Sequence, residues 1–405
     1  MGGGQAKGSA DMNIVLLVSS MGTGGAERVA STLVNAWAKR EETVTLVVTY
    51  SGRGSCFYPL ADNVRLIYLA DLTGQNRRGL RGYVARFVAL RAFIRGHRPD
   101  VVISFLTNVN VTAILATRGM HVPVIACEHN DPSADKRSRF WRMACRYVYP
   151  HASLVTVLTE NVVLPLRRMV PHMSRLAVMP NPLPDELFEQ QCVRGPADAR
   201  KRLISVGRLH EQKQYDVLIT AFAALAEAYA QWDLWIWGDG PERAKLAAQI
   251  EDAGLKNRVF LPGKTASPWA EMAAADVFVL SSRFEGLPMA LMEAMGLGVA
   301  SIAFDCRSGP RELMRDGSDG LLIPAGDVDA MVRGLRELIA NAALRSELGS
   351  KAAHSIRERY SVQAVLTHWD ELFERVGARA VRPSHDILTR PATPANRTGQ
   401  PCGRS

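Results

Sequence analysis

Glu285 and Glu293 are two carboxylates eight residues apart in the segment Ser281 to Gly296, which also holds Gly286, Leu287 and Pro288. The stretch before them, Asp276-Val-Phe-Val-Leu-Ser281, encloses an apolar run that predicts a buried strand. Pro288 to Met295 predicts a helix with proline in its first turn, where a missing N–H costs little. A strand, a tight turn at Gly286 and a helix start aim unpaired backbone N–H groups at one point, which makes an anion site. The second glutamate then lies roughly two turns, or about 12 Å, down the helix. A nucleotide-sugar is about that long: diphosphate at the helix start, sugar hydroxyls on one carboxylate, ribose hydroxyls on the other. A loop glutamate and a glutamate on a solvated helix face would have the same spacing, so the rest of the chain must decide.

Arg208 and Lys213 form a second candidate pair. They follow the apolar strand Arg202-Leu-Ile-Ser-Val206 and Gly207, and precede a predicted helix, Tyr215 to Tyr229. An arginine fork and a lysine point charge, five residues apart in a loop after a strand, can clamp one diphosphate without a metal. Bare pairs of this kind are also ordinary surface charges. His129 follows a strand ending at Cys127, between Glu128 and Asn130. Met21-Gly-Thr-Gly-Gly25, with Gly24 and Gly25, joins the strand Ile14 to Val18 to a helix from Ala26 to Arg40. Glycine there lets backbone approach a phosphate closely. Gly238 opens another glycine turn after Leu234-Trp-Ile-Trp237, and Lys264 follows the strand end Val259 to Gly263. The turn Ser308-Gly-Pro-Arg311 suits either donor contact or a helix cap.

These segments, in this order, resemble the retaining glycosyltransferases of family 4, which have the GT-B fold. The matching residues are Gly24-Gly-Ala-Glu-Arg28, Glu128-His129, Gly207-Arg208-Leu-x3-Lys213 and the Glu-x7-Glu of Glu285 and Glu293; the resemblance spans roughly residues 12 to 377. It implies an α/β protein of two Rossmann-like domains facing across a deep cleft, acceptor in the first and donor in the second. It further implies that His129 and Glu285 hold the donor sugar while Arg208, Lys213 and the N–H groups at Gly286 and Leu287 meet the diphosphate. Glu293 would take the ribose, the strand end at Lys264 the base, and Gly24, Gly25, Gly207 and Gly238 would line the donor site. Glu128 and Asn130 would orient His129 or touch the acceptor. The implied reaction retains anomeric configuration and uses no metal and no cofactor.

The elements that must position these residues follow from length and pattern. A chain of 405 residues is long for one core, and two domains are the natural expectation. Strand-like runs at Thr43–Tyr50, Val64–Leu69, Val101–Phe105, Val122–Cys127 and Leu154–Leu158 are mostly separated by helical stretches, which predicts a parallel sheet with helices on both faces. The expected boundaries are a disordered extension over 1–11, a first domain over 12–182 and a linker over 183–200. A second domain over 201–360, a helix over 361–377 crossing back to the first domain, and a disordered tail over 378–405 complete the chain. Val328 to Ser350 and Tyr360 to Val376 read as amphipathic helices.

Composition narrows the partners. Hydrophobic residues at 47% and charged residues at 22% are ordinary for a soluble enzyme. The six cysteines show no zinc spacing and suit a reduced cytoplasmic protein. Between Arg77 and Arg168 there are fifteen Lys and Arg against five Asp and Glu, which accounts for the whole net charge of +9. Two stretches carry much of it. Arg81 to Arg95 sets Tyr83, Phe87, Leu90 and Ile94 on one helical side and Arg81, Arg91 and Arg95 on another. Lys136 to Tyr149 mixes Lys136, Arg137, Arg139, Arg142 and Arg146 with Phe140, Trp141 and Tyr147. Basic amphipathic helices with aromatic residues suit an anionic membrane surface. The expected place is thus the inner face of the bacterial plasma membrane, with a polyprenyl-diphosphate-linked saccharide as acceptor. Nucleic acid is not an expected partner, because no binding module accompanies the charge. The alternatives are a GT-B sugar-nucleotide epimerase, and a non-catalytic binder of anionic lipid or nucleic acid.

Overall fold

The computed structural model describes residues 11–22, 24–50, 56–73, 79–129, 138–190 and 200–378. The expectations for the N-terminal extension and the C-terminal tail, and those for Asn130, Lys136 and Arg137, lie outside these residues, save for the inner ends of the two terminal segments.

Seven strands build the first sheet: β1 (Asn13–Val18), β2 (Thr43–Val48), β3 (Arg65–Tyr68), β4 (Val101–Phe105), β5 (Val124–Glu128), β6 (Leu154–Val157) and β7 (Leu176–Val178). They run parallel in the order β3-β2-β1-β4-β5-β6-β7. Six more build the second: β8 (Lys201–Val206), β9 (Trp232–Trp237), β10 (Val259–Gly263), β11 (Val277–Leu280), β12 (Ala300–Asp305) and β13 (Leu321–Pro324). Their order is β10-β9-β8-β11-β12-β13, again all parallel. Every residue of β4, β5, β6 and β11 is buried, as strands covered on both faces must be. Each sheet reverses its order once, between β1 and β4 and between β8 and β11. Ligands in such sheets bind beyond the carboxyl ends of the strands at that reversal.

The first sheet is covered differently on its two faces. One face carries the helices Gly25–Lys39 and Val362–Arg375. Trp37 meets Trp369 edge-on with ring centroids 5.5 Å apart, and Phe373 closes the cluster. Arg40 pairs with Asp370 at 2.9 Å on its rim. The last helix among the described residues therefore belongs to the core of the first sheet, although it follows the second. The other face carries the helices Gly79–His97, Thr107–Thr117, Arg139–Val148 and Glu160–Met169.

Two expectations about helices and linkers change. The segment read as one helix over Val328 to Ser350 is broken at Asn341, between Val328–Ala340 and Ala342–Tyr360. The Asn341 side chain accepts from Leu344 N at 3.0 Å, so it starts a new helix instead of continuing the old one. The first part of the stretch read as a linker is packed: Leu183 and Leu187 are fully buried, and Leu183 N donates to Tyr360 O at 2.7 Å. Proline-rich sequence here records an extended path through a core.

Candidate functional site

The loops after β8 and β11 face each other across the reversal of the second sheet, and they are stitched together. Lys213 Nζ lies 2.7 Å from Glu285 Oε1. Ser281 Oγ donates to Lys213 O at 2.7 Å, Gln212 Nε2 to Phe284 O at 2.8 Å, and Arg283 N to Gln212 O at 2.8 Å. Ser308, from the loop after β12, donates to the Glu285 carbonyl. Glu285 is 8% exposed, so its charge depends on Lys213. Burial works against the Lys213 ammonium, yet Glu285 outweighs it and the lysine pKa is raised. The result is a fixed cation in a water-poor loop, where an electrostatic contact is stronger than in bulk water.

Glycines let this loop close on its neighbours. A Cβ on Gly238 would lie 1.9 Å from Gly207 O, and the φ of Gly238 is +142°. Only glycine permits both the contact and the conformation. A Cβ on Gly286 would lie 2.8 Å from the backbone oxygen of His129, in the first domain. The Glu285 turn and the β5 strand end thus touch across the interdomain cleft. His129 is half-buried and its ring packs tilted against Phe105, ring centroids 4.3 Å apart and planes at 52°. Its Nε2 is buried without a hydrogen-bond partner among the described residues, and burial pushes its pKa down to about 4. The imidazole is therefore neutral at physiological pH, with an unused ring nitrogen. Leu106, which follows β4 and caps the helix Thr107–Thr117, has φ +74°, a costly conformation for a branched side chain.

The helix after β11 is Met289–Gly296, one residue later than expected at its start, with Pro288 at its N-cap and Leu287 buried. Glu293 is on its buried side at 3% exposure and accepts from Arg28 of the first domain. Burial raises the Glu293 pKa more than Arg28 lowers it.

Two family models match the chain in tandem: a glycosyl transferase 4-like domain over residues 24–182, and a glycosyl transferases group 1 domain over residues 189–355. The chain belongs to the family-4-like GT-B glycosyltransferases. An N-acetylgalactosaminyltransferase of Campylobacter jejuni, named for a diphospho-undecaprenol-linked acceptor, is 27% identical over 367 residues, covering 90% of this chain and 99% of that protein. An exopolysaccharide phosphotransferase of Streptomyces coelicolor is 28% identical over 389 residues, covering 89% of this chain but 40% of that protein. The Anabaena protein HepE, solved with UDP and glucose, superposes with a TM-score of 0.75 at 20% identity, over 90% of this chain and 99% of that one.

This glycosyltransferase brings His129, Lys213, Glu285 and Gly286 together, with Gly207 against Lys213 and Gly238 against Gly207. Gly25 and Glu293 meet the same helix. Gly24 starts the helix Gly25–Lys39 as its N-cap. Arg208 and Lys264 are exposed at their strand ends, and among the described residues no side-chain hydrogen bond or ion pair joins them to the others; only the Arg208 backbone lies near Gly238. Arg28, unassigned in the sequence reading, is the residue that reasoning missed. It stood in the Gly-Gly-Ala-Glu-Arg28 run, but its partner is 265 residues away.

The acceptor-side expectations need correction. Glu128 is 2% exposed and accepts from Thr107 Oγ1 at 3.0 Å and from Tyr149 Oη, so it points into the first domain and not toward an acceptor. It is the last residue of β5, and a buried carboxylate there has to find donors within the fold. Trp141 packs inward against the first core. Arg91 is half-buried and donates to Ala116 O at 2.6 Å and Arg118 O at 2.9 Å, capping the C-terminus of Thr107–Thr117. Arg95, Arg139 and Arg142 are exposed. No helix among the described residues is long and apolar enough to cross a membrane, and among them no cluster of three or more His, Cys, Asp or Glu could hold a metal ion.

Proposed function

We propose that this glycosyltransferase moves a hexose or N-acetylhexosamine from a nucleoside-diphosphate sugar to a saccharide on polyprenyl diphosphate, with retained configuration and without a metal. UDP-sugars are favoured and GDP-mannose remains open. The observation that carries this reading is the Lys213–Glu285 pair, locked between two loops and abutting His129. The chemical demand is to stabilise the negative charge that grows on the departing nucleoside diphosphate. Lys213 has three donors and gives one to Glu285, which leaves others for phosphate oxygens. Arg208, exposed at the adjacent strand end, supplies a fork, and the Gly286–Leu287 turn supplies N–H groups. Glu285 and the neutral His129 hold the sugar hydroxyls while the acceptor attacks from the leaving-group side, through a short-lived oxocarbenium ion.

The lipid-linked acceptor draws support from the undecaprenol-linked acceptor for which the Campylobacter relative is named and from the outer surface of the first domain. All the exposed large apolar side chains among the described residues fall between Phe57 and Leu164. Phe140, Met143 and Tyr147 line one arc of the helix Arg139–Val148, beside Arg139, Arg142 and Arg146. Val84 and Val88 stand out from the helix Gly79–His97 between Arg81 and Arg95. Such a face, apolar with a basic border, suits the headgroup region of an anionic bilayer.

Arg208→Ala tests the mechanism. It is expected to lower turnover about 10²- to 10³-fold, as for loss of one transition-state donor, while binding of a free nucleoside changes little. Near-normal turnover would remove Arg208 from its role. A thermal-shift panel of UDP- and GDP-sugars identifies the donor, because a ligand of the native state raises the melting temperature. Release of an altered free sugar-nucleotide without acceptor would favour the epimerase instead.

A further inference from the structure

Arg28 lies on the first turn of the helix Gly25–Lys39, in the first domain, yet its guanidinium donates to Glu293 Oε1 in the second. It lies 5.5 Å from the Tyr58 ring and 5.5 Å from the Trp269 ring, one ring from each domain. Both distances are within the range of cation–π attraction. The same region is pressed together elsewhere: a Cβ on Gly25 would lie 3.7 Å from Met289 Cγ, and Asn181 Nδ2 lies 3.4 Å from Met289 Sδ. The helix that bears Glu293 is thus in contact with the first domain through Met289 and Glu293. A carboxylate this deeply buried needs a paired charge, and Arg28 provides it from across the cleft.

We propose that Arg28 is a positioning residue for the donor, holding the Glu293 carboxylate in place for the ribose hydroxyls so that a nucleotide is gripped fully only when the two domains are together. The proposal rests on the assignment of Glu293 to the ribose made above. A carboxylate has two oxygens, so Oε1 can serve the guanidinium while the other oxygen accepts from a hydroxyl. Arg28 is the charged group acting on Glu293; Trp269, the other side chain against it, is neutral, and Tyr58 acts on Arg28 from the far side. With Arg28 gone, burial is opposed only by the weaker influence of Trp269, so Glu293 takes up a proton more readily and loses its charge-assisted hydrogen bond to the ribose.

The test is calorimetric titration of UDP and of GDP into the full-length wild type and into Arg28→Gln, Arg28→Lys, Glu293→Gln and the Arg28→Gln/Glu293→Gln double variant. Arg28→Gln is expected to weaken binding of the preferred nucleotide about 10- to 100-fold, the size of a charge-assisted hydrogen bond. The loss should be greater near about pH 6 than near about pH 8.5, because a carboxyl freed of its cation is more protonated at the lower value. Arg28→Lys should recover part of the affinity, and the double variant should bind no worse than Glu293→Gln. Unchanged or tighter binding by Arg28→Gln, or losses that multiply in the double variant, would overturn the role of Arg28 alone. A wild type that binds neither nucleotide would overturn the donor-site reading and this proposal with it.

Discussion

Two carboxylates, Glu285 before the helix Met289–Gly296 and Glu293 within it, are each buried against a cation, but the cations come from different places. Glu285 pairs with Lys213 of its own domain, through loops joined by three further hydrogen bonds. Glu293 pairs with Arg28 of the other domain, between two rings that the domains share. The cation pair assigned to the diphosphate is therefore preassembled inside the second domain, with His129 of the first domain abutting it. The end assigned to the ribose is complete only on contact between units. A site built this way can keep its transition-state electrostatics fixed while using donor affinity to report domain closure.

The strongest way to break this contrast is Lys213→Met. It leaves Glu285 buried beside no cation and removes a diphosphate donor, so single-turnover transfer should fall about 10²- to 10³-fold. Melting should also move to lower temperature, since breaking a buried pair destabilises the fold. Should Lys213→Met alter donor affinity and leave the transfer step alone, the two ends would not differ in the way described. A smaller effect concerns the first domain as the carrier of partners. The double variant Phe140→Glu/Tyr147→Glu is expected to weaken cosedimentation with anionic vesicles at least about tenfold, each buried aromatic being worth roughly 1.5–3 kcal/mol. Equal vesicle binding would remove this face from membrane contact.

The smallest effect is a pH dependence. Burial lowers the pKa of His129 from 6.5 to about 4, so between these values the unfolded chain takes up a proton that the folded chain refuses. Stability supplied by the neutral imidazole is present above pH 6.5 and is lost as pH falls toward about 4. Melting temperatures of His129→Asn should fall less steeply across that window than those of the wild type. Parallel curves would mean that His129 is not held neutral at the domain contact.

Much of this protein is legible in its residue order. Apolar runs followed by glycine loops mark the strands of both sheets, because a strand covered on two faces must be apolar throughout. The Glu-x7-Glu and Gly-Arg-Leu-x3-Lys segments mark the loops at one end of those strands, because chemistry in such folds collects at strand carboxyl ends. β7 is three residues long, too short for a pattern to stand out, and β13 offers three apolar residues before Pro324, which reads as a break. Phe140 and Trp141 show where periodicity stops. Both lie in a basic helix, a hundred degrees apart by helical geometry, and only packing against Cys145 and its neighbours sends Trp141 inward and Phe140 outward.

The sequence alone determined the type of fold and its division into two parallel sheets, since local spacing controls both, and it nominated the side chains proposed to meet a diphosphate. Tertiary structure decided which charges pair. Lys213 and Glu285 are 72 residues apart and Arg28 and Glu293 are 265 apart, and nothing in either neighbourhood names the partner. Burial removes water as an alternative, so each carboxylate must take the cation that the fold delivers.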